Sequence, residues 1–252
     1  MNHAHRARHA SAPLRLGASV MLAIAWAGGA VFVLSLSYFL YCYQQRFGST
    51  VAGGPLWRPV AADVLLFSAF ALHHSLFART RAKAWIGRRL PGALERSIYT
   101  WVASLVFIAI CWWWQPVPGL LYRWESPWRP LAYTLQVSGI VLTFLGARAL
   151  DVLDLAGIRA LLRSRTGAAP VHVPLSTTGV FGIVRHPLYF GWALLVWGTA
   201  DMTATRAIFA SVSCAYVAMA IAWEERGLIE TFGSDYEAYR RRVRWRMIPF
   251  VY

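Results

Sequence analysis

Cysteine is scarce: Cys42, Cys111 and Cys214 are the three in 252 residues, each alone in an apolar run. That excludes a disulfide framework and a CxxC metal or redox site. Lysine is nearly absent, with Lys83 standing beside 24 arginines. Charged side chains make up 14% of the chain, against about 25% in soluble domains. With 58% hydrophobic residues and a mean hydropathy of +0.44, this composition excludes a soluble cytoplasmic enzyme, a disordered chain and a collagen-like chain. A GxGxxG after a strand, a P-loop, an HExxH and a GxSxG elbow are also missing, so no nucleotide-fold, zincin or hydrolase fingerprint is present. No metal site is expected.

What is present is a series of long apolar runs. A bilayer core of about 30 Å takes roughly 20 apolar residues as a helix. Residues 16–43, 97–122 and 130–147 carry no charge at all. Residues 64–78 form a fourth run with a polar patch at His73 and His74. The last apolar region is split into 187–200 and 207–223 by Asp201-Met-Thr-Ala-Thr-Arg206. Its first half gives about 21 Å of helix, too short to cross comfortably, so a helical hairpin is expected there. The fold class is therefore all-α: a polytopic integral membrane protein of about six helices ending in a C-terminal hairpin. The first run is too long for a signal peptide and has no cleavage site after it.

Arginine placement sets the expected topology. With the N-terminus inside, 20 Lys and Arg fall on the cytoplasmic side. Five, Arg46, Arg58, Arg123, Arg129 and Arg206, fall outside. That imbalance satisfies the positive-inside rule and accounts for the net charge of +14 through topology and anionic lipid rather than nucleic acid. The expectation is a bacterial-type inner-membrane protein with both termini cytoplasmic. Residues 1–15 would form a tail and 16–252 a single membrane unit.

Polar residues at membrane depth are the functional suspects. Residues 177–191 read TTGVFGIVRHPLYFG. Pro187 suits a first helical position, and His186 before it is placed to cap. The helix would thus present open N–H groups, with Arg185 alongside as a carboxylate binder. Gly179 and Gly182 would let the preceding loop approach a ligand. A second cluster, Trp223-Glu224-Glu225-Arg226, closes the last span. Two carboxylates there oppose the helix dipole. A hairpin turning near Thr205 would set Arg185 and His186 opposite Glu224 and Glu225. After it, Leu228, Ile229, Phe232, Tyr236, Tyr239 and Val243 recur at helical steps, forming a short cytoplasmic amphipathic helix. Gly233 breaks that stripe, and Ser234 to Glu237 has the form of a capping box. His73 and His74 are neighbours on a helix and not a chelating pair. Asp151 and Asp154 could face the same cavity.

The elements RHPLYFG at 185–191, Glu224-Glu225 with Leu228, Phe232-Gly233, Tyr236, Tyr239, Val243 and Pro249 resemble, in order, the signature of the membrane-embedded methyltransferases. These are the enzymes related to isoprenylcysteine carboxyl methyltransferase and the phospholipid N-methyltransferases. The front half, from His73 through Glu95-Arg96 to Trp114-Gln115-Pro116, resembles the branch of bacterial methanethiol S-methyltransferases. That branch shows an Asn-His pair where this chain reads Arg148 to Asp154. The resemblance implies S-adenosylmethionine as methyl donor, held by a core at residues 177–249. It assigns Gly179, His186, Pro187, Tyr189, Glu225 and Tyr236 to the cofactor, and Arg185 and Glu224 to the methyl-accepting side. The acceptor implied is a small or hydrophobic thiol or an isoprenylcysteine-type carboxylate. A phospholipid amine is the alternative within the class. A non-catalytic haem- or denitrification-associated membrane protein is the alternative outside it. Partners are the methyl acceptor and membrane lipid.

Overall fold

The computed structural model describes residues 16–77, 91–166 and 174–252. The N-terminal tail and most of the basic 79–96 loop therefore lie outside the described residues.

The first apolar run folds as α1 (Ala18–Tyr41), which continues as a π-helical turn over Cys42–Arg46. α2 spans Trp57–Phe77. α3 spans Glu95–Trp113 and stops where Pro116 and Pro118 remove backbone donors. α4 covers Arg129–Ala149 with Pro130 in its first turn. Two short helices follow, α5 (Val152–Leu155) and α6 (Ile158–Thr166). α7 is Pro187–Trp197 and α8 is Ala204–Phe232. After Gly233, α9 runs over Ser234–Arg242. Among the described residues, four helices are long and apolar enough to cross a membrane: Ala18–Arg46, Glu95–Trp113, Arg129–Ala149 and Ala204–Phe232. α2 is of similar length but carries Arg58, Asp63, His73 and His74. At 11 residues, α7 is about 16 Å long and too short to cross alone.

The helical class holds with one addition. The uncharged run 97–122 does not stay helical to its end. Leu120–Arg123 (β1) pairs antiparallel with Asp201–Thr203 (β2), Leu120 facing Thr203 and Arg123 facing Asp201. A turn at the end of an apolar bundle must still satisfy its backbone, and the ribbon does that for both connections at once. The break expected over 201–206 falls instead over residues 198–203, between the end of α7 and the start of α8. Thr203 caps α8 by accepting from the Arg206 amide at 3.1 Å, so the helix starts before Arg206.

That end of the bundle gathers four of the five arginines placed outside. Buried Arg206 donates to the carbonyls of Tyr43 (3.0 Å), Gln44 (3.0 Å) and Asp201 (2.6 Å). Asp201 also accepts from Arg123 at 2.9 Å and Arg129 at 2.7 Å. Arg46 donates to Cys111 O at 3.0 Å. These bonds replace water for charges that an apolar environment would otherwise penalise.

Helices meet here by van der Waals contact, because lipid offers no hydrophobic drive toward association. Phe209 of α8 sits among Phe39, Phe47, Phe67 and Trp114, with ring centroids 5.0–6.1 Å away. α7 lies against α4 backbone to backbone. A Cβ on Gly139 would stand 2.5 Å from the carbonyl oxygen of Gly191, and one on Gly191 would collide with Thr143. The glycine that closes the RHPLYFG segment is thus fixed by helix contact, which places the start of α7 against the bundle.

Candidate active site

Gly233, at φ +53°, turns the chain sharply after α8. α9 then folds back so that Tyr236, Tyr239 and Val243 pack on Leu228, Ile229, Phe232 and Phe181. Ser234 does not form the expected capping box. Gly233 occupies the cap position without a side-chain bond, because the positive φ places the chain reversal there. The return brings residues 243–246 to the start of α7. The amide of Arg185 donates to Trp245 O at 3.0 Å and that of His186 to Arg246 O at 2.8 Å. Tyr239 Oη donates to Phe181 O at 2.7 Å, and Arg242 Nη2 to Thr177 O at 3.1 Å. Burial pushes the Tyr239 hydroxyl up to about 12.

Arg185 and Glu225 meet inside this clamp. Arg185 Nε lies 2.6 Å from Glu225 Oε1, with both side chains buried. Arg185 Nη1 donates to Val243 O and Arg244 O, each at 2.7 Å. Arg246 Nε stands 3.5 Å from the other Glu225 oxygen. A buried carboxylate is tolerable only with such compensation. His186 lies between the two glutamates, with Nε2 3.4 Å from Glu225 Oε1 and Nδ1 3.6 Å from Glu224 Oε2. Its ring is parallel to that of Tyr189, with centroids 5.5 Å apart. Tyr189 Oη donates to Glu224 Oε2 at 2.8 Å. Glu224 differs from its neighbour in exposure, at 45% of its side chain. The buried Tyr236 hydroxyl makes no hydrogen bond among the described residues. Burial, then the nearby Glu225 carboxylate, raise it above the usual tyrosine range.

The structure therefore brings together Arg185, His186, Pro187, Tyr189, Glu224, Glu225 and Tyr236. Gly179 stands at the exposed start of the turn Gly179–Gly182, at φ +60°, and its conformation bends the loop that Arg242 holds. The amino end of α7 is less open than expected. The His186 amide goes to Arg246, Pro187 has none, and Tyr189 and Phe190 both donate to His186 O at 3.1 Å. The His186 side chain makes no cap bond, so its ring is left to the carboxylates. Asp151 and Asp154 do not face this site. Asp151 pairs with Arg159, and Asp154 with Arg96 and Arg163, holding α6 to α3. His74 is hydrogen-bonded to the Tyr99 hydroxyl at 2.8 Å. Among the described residues no cluster of three metal-ligating side chains occurs. The sequence reading missed Arg246 and the backbone carbonyls of residues 243–246. The basic Arg244-Trp245-Arg246 between Val243 and Pro249 was the available signal.

A bundle of membrane-length helices with a buried Arg–Glu–His cluster at one end defines a helical membrane protein with an enzyme-like polar site. The family profile described as phospholipid methyltransferase matches residues 128–235. Methanethiol S-methyltransferase 2 of Bradyrhizobium diazoefficiens is 35% identical over 75% of this chain and 73% of its own length. Methanethiol S-methyltransferase of Crocosphaera subtropica is 35% identical over 75% of this chain and 74% of its own. Human nurim is 26% identical over 68% of each chain. No solved structure matches. The chain belongs to the membrane methyltransferase superfamily, in the branch that holds the methanethiol S-methyltransferases.

Proposed function

We propose that this protein transfers a methyl group from S-adenosylmethionine to a small, apolar thiol at the cytoplasmic face of a bacterial inner membrane. The topology in this reading has six helices, α7 and α8 forming the C-terminal hairpin, and both termini inside. The gathering of Arg46, Arg123, Arg129 and Arg206 at one end, away from the site, supports it.

The observation that carries the activity is the lodging of His186 between a committed glutamate and a half-exposed one. The donor's residues fit the groups present. Tyr236 offers a buried hydroxyl with no partner of its own among the described residues, and His186 and Tyr189 offer a stacked aromatic face. His186, Pro187, Tyr189, Glu225 and Tyr236 would hold S-adenosylmethionine, with Gly179 shaping the covering loop. When bound, it supplies the methyl group on a sulfonium sulfur.

The chain's own residues supply alignment, water exclusion and a proton acceptor. A thiol must lose its proton before it attacks. Glu225 is a poor base, since Arg185, Arg246 and His186 all draw on its charge. Glu224 makes one hydrogen bond, from Tyr189, and retains acceptor capacity for the thiol proton. Arg185 has Nε and Nη1 committed within the protein, which favours a thiol over a carboxylate acceptor. Arg185 is then a positioning residue for Glu225. A thiolate that took the donor's methyl carbon would release the donor sulfur as a neutral thioether, so both charges would be lost and a dry, apolar surrounding would favour the transfer.

The test is incubation of purified protein with labelled S-adenosylmethionine and a panel of thiols, prenylcysteines and phospholipids. Label in a small thioether is the expected result. Label in a prenylcysteine ester or a phospholipid would overturn the acceptor assignment.

A further inference from the structure

Beside the Arg185–Glu225 pair, on the outer side of α9, lies an open cleft of about 600 Å³. Five arginines line it, Arg185, Arg240, Arg241, Arg244 and Arg246, against one acidic residue, Glu237. Arg185 and Arg246 are tied to Glu225. Arg240, Arg241 and Arg244 form no ion pair among the described residues. A cleft so charged does not suit the methyl donor, which carries a sulfonium and an ammonium against a single carboxylate and is a net cation. It suits an anion.

The chain around the cleft is amphipathic. Phe250 is 84% exposed and Val251 74% exposed. Trp245, which lines the cleft, packs against Phe250 at 5.5 Å. Bare apolar side chains next to unpaired arginines are the pattern of a segment seated at the headgroup boundary. The depth agrees. Glu225 ties Arg185 and Arg246 to the level of Trp223 on α8, and Trp223 is 52% exposed, as expected at a membrane interface.

We propose that this cleft is a headgroup site for an anionic phospholipid, with Arg240, Arg241 and Arg244 on the phosphate and Phe250 and Val251 among the acyl chains. The inference rests on the membrane placement of α8 given above. It also gives the lipid a task. Residues 243–246 supply four carbonyl acceptors to Arg185 and His186, so a headgroup that pins this segment holds the donor pocket in shape.

The test uses the full-length protein in detergent, with lipid retention read by native mass spectrometry. Phosphatidylglycerol should be retained over phosphatidylcholine. Arg240→Gln and Arg241→Gln should each weaken retention about five-fold. Phe250→Ser, which keeps every arginine, should weaken phosphatidylglycerol but not inorganic phosphate. Equal retention of the two lipids would overturn the proposal. So would retention unchanged in the Arg240→Gln/Arg241→Gln variant, or full displacement by inorganic phosphate at matched concentration. The readout needs no methyl transfer. Failure of the methyltransferase reading would appear separately, as no S-adenosylmethionine binding by calorimetry in either lipid.

Discussion

Arg185 and Glu225, 40 positions apart in the chain, meet at 2.6 Å with their side chains each 5% exposed. The pair joins the start of α7 to the end of α8 and, through Arg185 Nη1, to the returning tail. Removing one partner leaves an uncompensated buried charge, at a cost of about 3–5 kcal/mol. Arg185→Ala and Glu225→Ala should each abolish S-adenosylmethionine binding and loosen residues 243–252, while the membrane helices stay assembled. Calorimetry and limited proteolysis of the tail check both parts; donor affinity unchanged in either variant would count against the site.

Glu224 should behave differently. Glu224→Gln keeps the shape and removes the proton acceptor, so turnover should fall by about a hundredfold to ten-thousandfold with donor affinity kept. Tyr189→Phe removes one hydrogen bond to the same carboxylate and should have a much smaller effect on turnover. Single-turnover kinetics beside donor titration separate the two quantities.

The contact between α4 and α7 leaves no room for side chains at Gly139 and Gly191. Gly191→Val should force the helices apart at a cost of about 1–3 kcal/mol and displace His186 and Tyr189 with α7. A lowered Tm together with weakened donor binding is the expected pair of results. Gly227, where a Cβ would meet nothing within 4 Å, is the control position for alanine.

Tyr239 predicts a pH effect. Its hydroxyl titrates at about 12 in the fold, against an ordinary value of 10.0. The folded state therefore holds the proton more tightly than the unfolded one. Its contribution is complete below about 10 and is lost as pH rises through about 12. Trp245 fluorescence should report loosening of the tail over that interval. Tyr239→Phe should lack that step and lose about 1–3 kcal/mol at neutral pH by leaving the Phe181 carbonyl unpaired.

Local signals carried much of the architecture. Uncharged runs located the helices, since apolar length at 1.5 Å per residue is readable without a partner. Gly233 marked the reversal before α9, and the stripe from Leu228 to Val243 marked the packing of α9. The pairing of residues 185–186 with 224–225 was legible from hairpin arithmetic alone. Elsewhere local reading stopped short. Asp63 lay outside the expected span, yet it sits inside α2 and accepts from the Gln115 amide at 2.8 Å. The apolar stretch after Trp113 read as more helix, although its prolines commit it to a strand whose partner is β2.

By itself, then, the sequence determined where the membrane helices run, which end is basic, and which residues carry the methyltransferase signature. Those depend on composition and spacing along one segment. Only the tertiary structure decided that Glu225 is committed and Glu224 is half-exposed, that the tail takes up the amides of Arg185 and His186 just before α7, and that Arg246 joins the site. Two adjacent glutamates look alike in a sequence, and their difference comes from what other segments bring within 3 or 4 Å of each carboxylate.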